Sequence, residues 1–234
     1  MTTAHYRPLM VGLRAARANL VPALLIQTVV VAIVAAYYFH PQAREWLAHL
    51  AELKRRGGYL FSFASGAIAG GLLPQLLKVA VFQRRRVRRE NLGDLLFGVC
   101  FWGLLGVAVD GVYRAQALMF GTRVDFLTVL KKTLVDQFAF TPFVSIPLTV
   151  VTLEWKHQGY RLAGLSRVFS LRFYKQKTLP TVVSALGFWL PVVILIYCLP
   201  LLLQFPLFTL ALTLWVMIIT WISLAQKEEM MNAE

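Results

Sequence analysis

The chain has 234 residues, of which 58% are hydrophobic and 15% charged, with a formal net charge of +13 and a mean hydropathy of +0.64. That much apolar side chain excludes an ordinary soluble domain and makes the bilayer the solvent to reason with. The positive charge does not imply nucleic acid: the Lys and Arg residues lie mainly in short connectors beside apolar runs, where anionic lipid head groups and membrane orientation account for them.

Residues 1–19 carry Arg7, Arg14 and Arg17, and no acidic residue precedes Glu45. The charge bias is that of a transit peptide. The serines usual in such a segment are missing and an apolar run follows directly, so we read a basic flank of the first span. Residues 20–39 are long enough to cross a bilayer at about 1.5 Å per residue and exceed the core of a signal peptide. Pro41 ends that helix. In the stretch AREWLAHLAELKRR, Trp46, Leu47, Leu50 and Leu53 share one face and charges the other, which predicts a short helix lying in the interface or packed on the rest of the protein. The N-terminal extra span and interfacial helix thus occupy residues 1–57, a membrane helix bundle 58–225, and a short polar tail 226–234.

The second span is predicted over 59–82. Ser62, Gly66 and Gly70 form small-x-x-x-small steps along it, the pattern of a close helix seam within the chain or between copies in a homo-oligomer. Pro74 predicts a kink and Lys78 a snorkelling end. Arg84, Arg85, Arg86, Arg88 and Arg89 follow. They are a topology signal first and an anionic-lipid or phosphate patch second.

In the third span, 92–120, Asp110 and Arg114 are spaced i, i+4 beside Tyr113. Asp125 is placed to cap the fourth span, 126–153, where Lys132 and Asp136 repeat the i, i+4 spacing next to Gln137. A charge near the bilayer centre costs about 2.5 to 3.5 kcal/mol on insertion scales, so these side chains are expected to face protein, water or each other. Pro142 and Pro147 bend the same span. Two readings stay open: internally neutralised structural pairs, or a polar seam or water-filled path between the third and fourth spans.

From Glu154 the chain turns polar and basic, with Lys156, Arg161, Arg167, Arg172, Lys175 and Lys177, and without a Gly-rich phosphate loop. Residues 181–203 and 206–224 then form a tight apolar pair interrupted by Pro191, Pro200 and Pro206, with only Gln204 and Phe205 between them. The resulting fold class is all-α, a polytopic transmembrane helix bundle of about six apolar spans, or four to five if the last pair is kinked or re-entrant. In the six-span reading 15 Lys and Arg fall on one side and 5 on the other, which puts both termini in the cytoplasm or a mitochondrial matrix.

The pattern K-x-x-x-D-Q-x-x-x-x-P, filled by Lys132, Asp136, Gln137 and Pro142, resembles the signature of the family that contains the peroxisomal membrane protein and the mitochondrial inner-membrane Mpv proteins. Gly106 and Tyr113 stand at the ends of the family's G-P-x-x-H-x-W-Y block, with Val107, Asp110 and Val112 in place of its Pro, His and Trp. Gly70 and Gln75 match an earlier G-D-x-x-x-Q block in which Gly71 replaces the acid. Trp189, Pro191, Pro200 and Trp215 resemble the later landmarks, with Gln204 where an arginine is usual. The likeness runs in order over about 59–224. It implies a small channel-like protein for small hydrophilic solutes in a mitochondrial inner or peroxisomal membrane. Without it, a bacterial cytoplasmic membrane fits the N-terminus equally.

Cys100 and Cys198 lie in apolar runs, and His5, His40, His49 and His157 are scattered. No metal spacing, nucleophile with a base, or H-E-x-x-H is present, so neither a cofactor, a metal nor catalysis is expected. The candidate pore or seam residues are Asp110, Tyr113, Arg114, Lys132, Asp136 and Gln137; the candidate kinks are Pro142, Pro147, Pro191 and Pro200. A channel-like pore is the leading expectation and a non-conducting scaffold or partner-binding membrane protein the alternative. A lipid-modifying enzyme using Asp110 or Asp136 comes third.

Overall fold

Helix follows helix through the computed structural model, which describes residues 8–161 and 170–233. We label them α1 (Pro8–Ala18), α2 (Leu20–Phe39), α3 (Pro41–Phe82), α4 (Arg89–Phe120), α5 (Phe126–His157), α6 (Leu171–Tyr197) and α7 (Leu201–Ala233). No strand occurs among the described residues. Six of the helices, α2 through α7, are long and apolar enough to cross a membrane, so the chain has the architecture of an integral, multi-pass membrane protein. Arg7, His5 and Arg167 lie outside the described residues.

Local chemistry sets the breaks. Pro41 pushes His40 into an extended conformation (φ −120°, ψ 111°), which ends α2 and starts α3 at once. Gly58 adopts φ 51°, ψ −129° and breaks α3 into an amphipathic half and a spanning half. Asp125 caps α5 as expected: its carboxylate accepts the Thr128 backbone N–H at 3.1 Å and the Thr128 hydroxyl at 2.9 Å. Those bonds, the backbone one first, hold the Asp125 carboxyl below its ordinary pKa.

In the amphipathic half of α3, Trp46 and Leu53 are exposed, Leu47 packs on the core, and Lys54 turns inward to 1% exposure. The last two spans are separate helices, and their turn falls at 198–200 rather than at Gln204 and Phe205. Gln204 can stay inside α7 because its amide donates to the Leu199 carbonyl at 2.9 Å, which also satisfies the turn. Pro200 is therefore a turn residue and not a kink, while Pro147 stands inside the continuous α5, at the step from π back to α winding. Pro142 and Pro191 do lie inside helix.

The ends of the bundle are fixed by polar contacts. Asp94 of α4 accepts Lys78 of α3 at 3.0 Å and Lys156 of α5 at 2.7 Å, so the 84–89 turn and the start of the basic connector share one end. Lys78 is thus paired rather than snorkelling. The Phe82–Trp221 ring contact, 5.3 Å between centroids, brings the far part of α7 to that end. At the opposite end the Tyr38 hydroxyl donates to the Cys198 carbonyl at 2.5 Å.

In lipid, helices are held by close packing and buried hydrogen bonds rather than by apolar transfer. Ile26, Val30 and Val34 of α2 interlock with Val192, Val193 and Ile196 of α6 and with Phe205 of α7, while Leu104 and Leu118 point outward. The glycine seam lies within the chain. A Cβ on Gly66 would meet the Trp102 carbonyl oxygen, one on Gly70 the Trp102 ring, and one on Gly98 would come within 2.9 Å of the Gly71 Cα. We expect Gly66→Leu to lower stability in detergent by about 1 to 3 kcal/mol or more. Gly111→Leu, at a glycine with open space around it, serves as control. Equal melting of the two variants would place the α3–α4 approach elsewhere.

Candidate functional site

The predicted polar residues form two separate groups. The first joins α3 to α4. Asp110, 3% exposed, accepts Lys54 Nζ at 2.7 Å, the Ser62 hydroxyl at 2.9 Å and Arg114 Nε at 3.2 Å, all on Oδ2. Lys54 Nζ also donates to the Gly58 carbonyl at 2.9 Å and to Ser62 Oγ at 2.7 Å, so one ammonium closes the helix break and neutralises the acid. Arg114 lies over the Tyr59 ring at 4.8 Å. With the buried ammonium and the carboxylate paired across the two helices, this group is a lock between helices rather than a surface for a solute.

The second group lies around α5. The i, i+4 spacing does not make an ion pair here: among the described residues no salt bridge joins Lys132 and Asp136. Lys132, 2% exposed, lies over the Tyr197 ring at 5.8 Å. The winding between them is still α-helical, the Asp136 N–H bonding to the Lys132 carbonyl, so the two side chains part because they take other partners; the π-helix over Asp136–Ser145 begins only there. Pro142 lacks an N–H and its ring would strike the carbonyl four residues earlier; the wider i→i+5 register removes that conflict. Asp136 instead accepts the Tyr197 hydroxyl at 2.7 Å and Gln137 Nε2 at 3.0 Å, and Gln116 Nε2 donates to Tyr197 Oη at 2.8 Å. A buried chain Gln116–Tyr197–Asp136–Gln137 thus links α4, α6 and α5.

The same π register brings Asp136, Thr141 and Ser145 into line, and Thr149 of the following α-helical turn continues the row. They form one wall of a cavity of about 250 Å³, opposite Thr181 and Ser184 of α6. Asp136, Gln137 and Thr141 are buried, Ser145, Thr149 and Ser184 half-buried, and Thr181 exposed. The cavity therefore deepens from the basic-connector end towards mid-span, and it stops at Asp136 and Tyr113. Tyr113, 2% exposed, meets Tyr197 edge to face at 5.5 Å and closes the deep end. Trp102, Phe140, Trp189, Phe208 and Trp215 supply the remaining rings.

Of the predicted residues, Tyr113, Asp136 and Gln137 thus come together at the cavity. Asp110 and Arg114 belong to the lock, and Lys132 stands behind Tyr197. Sequence reasoning missed Lys54, Gln116, Tyr197 and the Thr141–Ser145–Thr149 row. The seam expected between the third and fourth spans is a cavity bounded by α4, α5, α6 and α7. Among the described residues no group of three His, Cys, Asp or Glu gathers that could hold a metal. Comparison with protein-family models, curated proteins and solved structures gives no match in any of the three.

Proposed function

We propose that this integral membrane protein is channel-like and passes small hydrophilic solutes through the cavity bounded by α4 to α7. The observation that carries this reading is the row Asp136, Thr141, Ser145 and Thr149 facing Thr181 and Ser184. Hydroxyl groups on both sides of an otherwise apolar bundle offer a solute replacements for its hydration shell; Thr149 and Thr181 donate to the Ser145 and Lys177 carbonyls of their own helices and keep acceptor lone pairs. The motif order that resembles the peroxisomal and mitochondrial Mpv proteins supports the same reading, as does the 15 to 5 charge asymmetry for an orientation with the basic connectors in the cytoplasm or matrix. Passage requires the deep end at Tyr113 and Tyr197 to open. A membrane protein that binds a solute without conducting is the second reading, favoured by that closed end.

Proteoliposomes distinguish the two. Solutes of glycerol size should exchange faster than in empty liposomes, and Ser184→Phe, which fills the cavity from the α6 side, should cut the excess rate at least ten-fold. Liposomes that stay sealed at high protein density would remove the channel reading.

A further inference from the structure

Among the described residues, Asp136 is the only Asp, Glu, Lys, Arg or His that lines the cavity. It is 6% exposed and is not neutralised by an ion pair among the described residues. Beside it Gln137, 1% exposed, has its Nε2 committed to Asp136 while its Oε1 is buried without a hydrogen-bond partner. A carboxylate has room for about four hydrogen bonds, so Asp136 keeps acceptor capacity after Tyr197, Gln137 and Thr141. Beside the Tyr113 phenol, Asp136 and the Gln137 side-chain carbonyl thus offer acceptors to something that donates or carries positive charge.

The rest of the wall narrows the class. Trp102, Trp189, Trp215 and Phe208 line the same cavity as the acid, and aromatic rings attract a cation that has shed its water. A hard metal ion would need six or more oxygen ligands. This cavity offers one carboxylate, one amide oxygen and hydroxyls spread along a row. Its 250 Å³ corresponds to roughly eight water volumes at about 30 Å³ each, the size of a small amine and not of a lipid or a nucleotide.

We propose that the cavity recognises a small organic cation, a primary or quaternary ammonium compound, with Asp136 as its counter-ion, Gln137 Oε1 as an additional acceptor and the tryptophan rings as its cage. The inference rests on the cavity being the solute site of the reading above, and it does not depend on conduction.

Choline and its uncharged carbon isostere, 3,3-dimethylbutan-1-ol, have the same shape, so their affinities for the purified protein in detergent isolate the charge. Calorimetric titration should show choline binding at least ten-fold more tightly. Asp136→Asn should reduce that preference below two-fold. Should this variant fold poorly, Trp189→Leu keeps the acid and removes one ring; it should weaken choline several-fold and leave the isostere nearly unchanged. Equal affinities for the two ligands in the native protein would overturn the inference, as would retention of the preference in both variants. Solute exchange in proteoliposomes, run in parallel, separates this from the channel reading. Choline binding with sealed liposomes keeps the cation site and removes the channel; glycerol exchange without choline preference does the reverse.

Discussion

Asp110→Asn should lower the unfolding free energy by about 3 to 5 kcal/mol, the cost of leaving a buried charge without its partner. The geometry makes the effect one-sided. Asp110 is shared by Lys54 at 2.7 Å and Arg114 at 3.2 Å. Removing the acid strands a 2%-exposed ammonium next to a second cation, whereas Lys54→Met leaves Asp110 still paired with Arg114. The lysine variant should therefore lose clearly less, about 1 to 3 kcal/mol, mainly from the unpaired Gly58 carbonyl and Ser62 hydroxyl. Removing both charges together, Lys54→Met with Asp110→Leu, should recover much of the loss. Arg114, with its side chain 40% exposed, can then reach the interface on its own stem. Reversible unfolding in mixed micelles measures all three. Equal losses in the two single variants, or additive losses in the double, would mean that Asp110 and Lys54 do not act as a buried unit.

The apolar runs, the α5 cap and the i, i+4 pair Asp110–Arg114 could be read from the sequence because each depends on local spacing along one regular helix. Spacing gives neighbours but not partners. Lys132 and Asp136 are i, i+4 in α-helical winding, yet the Tyr197 hydroxyl of α6 takes the Asp136 carboxylate, and no local pattern announces it. The Thr141–Ser145–Thr149 row is spaced by four, an ordinary helical face, but Asp136 stands five residues before Thr141 and joins the row only in the wider π turn. Lys54 was hidden for another reason. Lys54, Arg55 and Arg56 are consecutive, and only the break at Gly58 decides which of them turns inward. Arg55 and Arg56 remain outside, both on Glu52. The turn between the last spans was misplaced because Gln204 reads as a loop residue until its bond to the Leu199 carbonyl is seen.

Tyr197→Phe should cost about 2 to 4 kcal/mol although it removes a single oxygen. The hydroxyl accepts from Gln116 at 2.8 Å and donates to Asp136 at 2.7 Å, so its loss leaves one buried amide unpaired and deprives a buried carboxylate of a donor. Hydrogen bonds to charged groups contribute about 1.5 to 3 kcal/mol each, and the orphaned partner adds to the loss. The phenylalanine ring keeps its place against Tyr113, so shape and packing change little and the effect isolates the polar chain. Double-mutant cycles then test the arrangement of α5. Tyr197→Phe and Asp136→Asn should couple by about 1 to 2 kcal/mol, while Lys132→Met and Asp136→Asn should couple by about 0.5 kcal/mol or less, since the Tyr197 ring lies beside the ammonium and no salt bridge spans the pair. Strong coupling of Lys132 with Asp136, and none of Tyr197 with Asp136, would restore an ion pair along a regular helix. The cavity would then lose its free acid. If the couplings come out as expected, the same Tyr197→Phe variant should also speed solute exchange in proteoliposomes, because the bond that fixes the deep end of the cavity is gone while the acid that faces it remains.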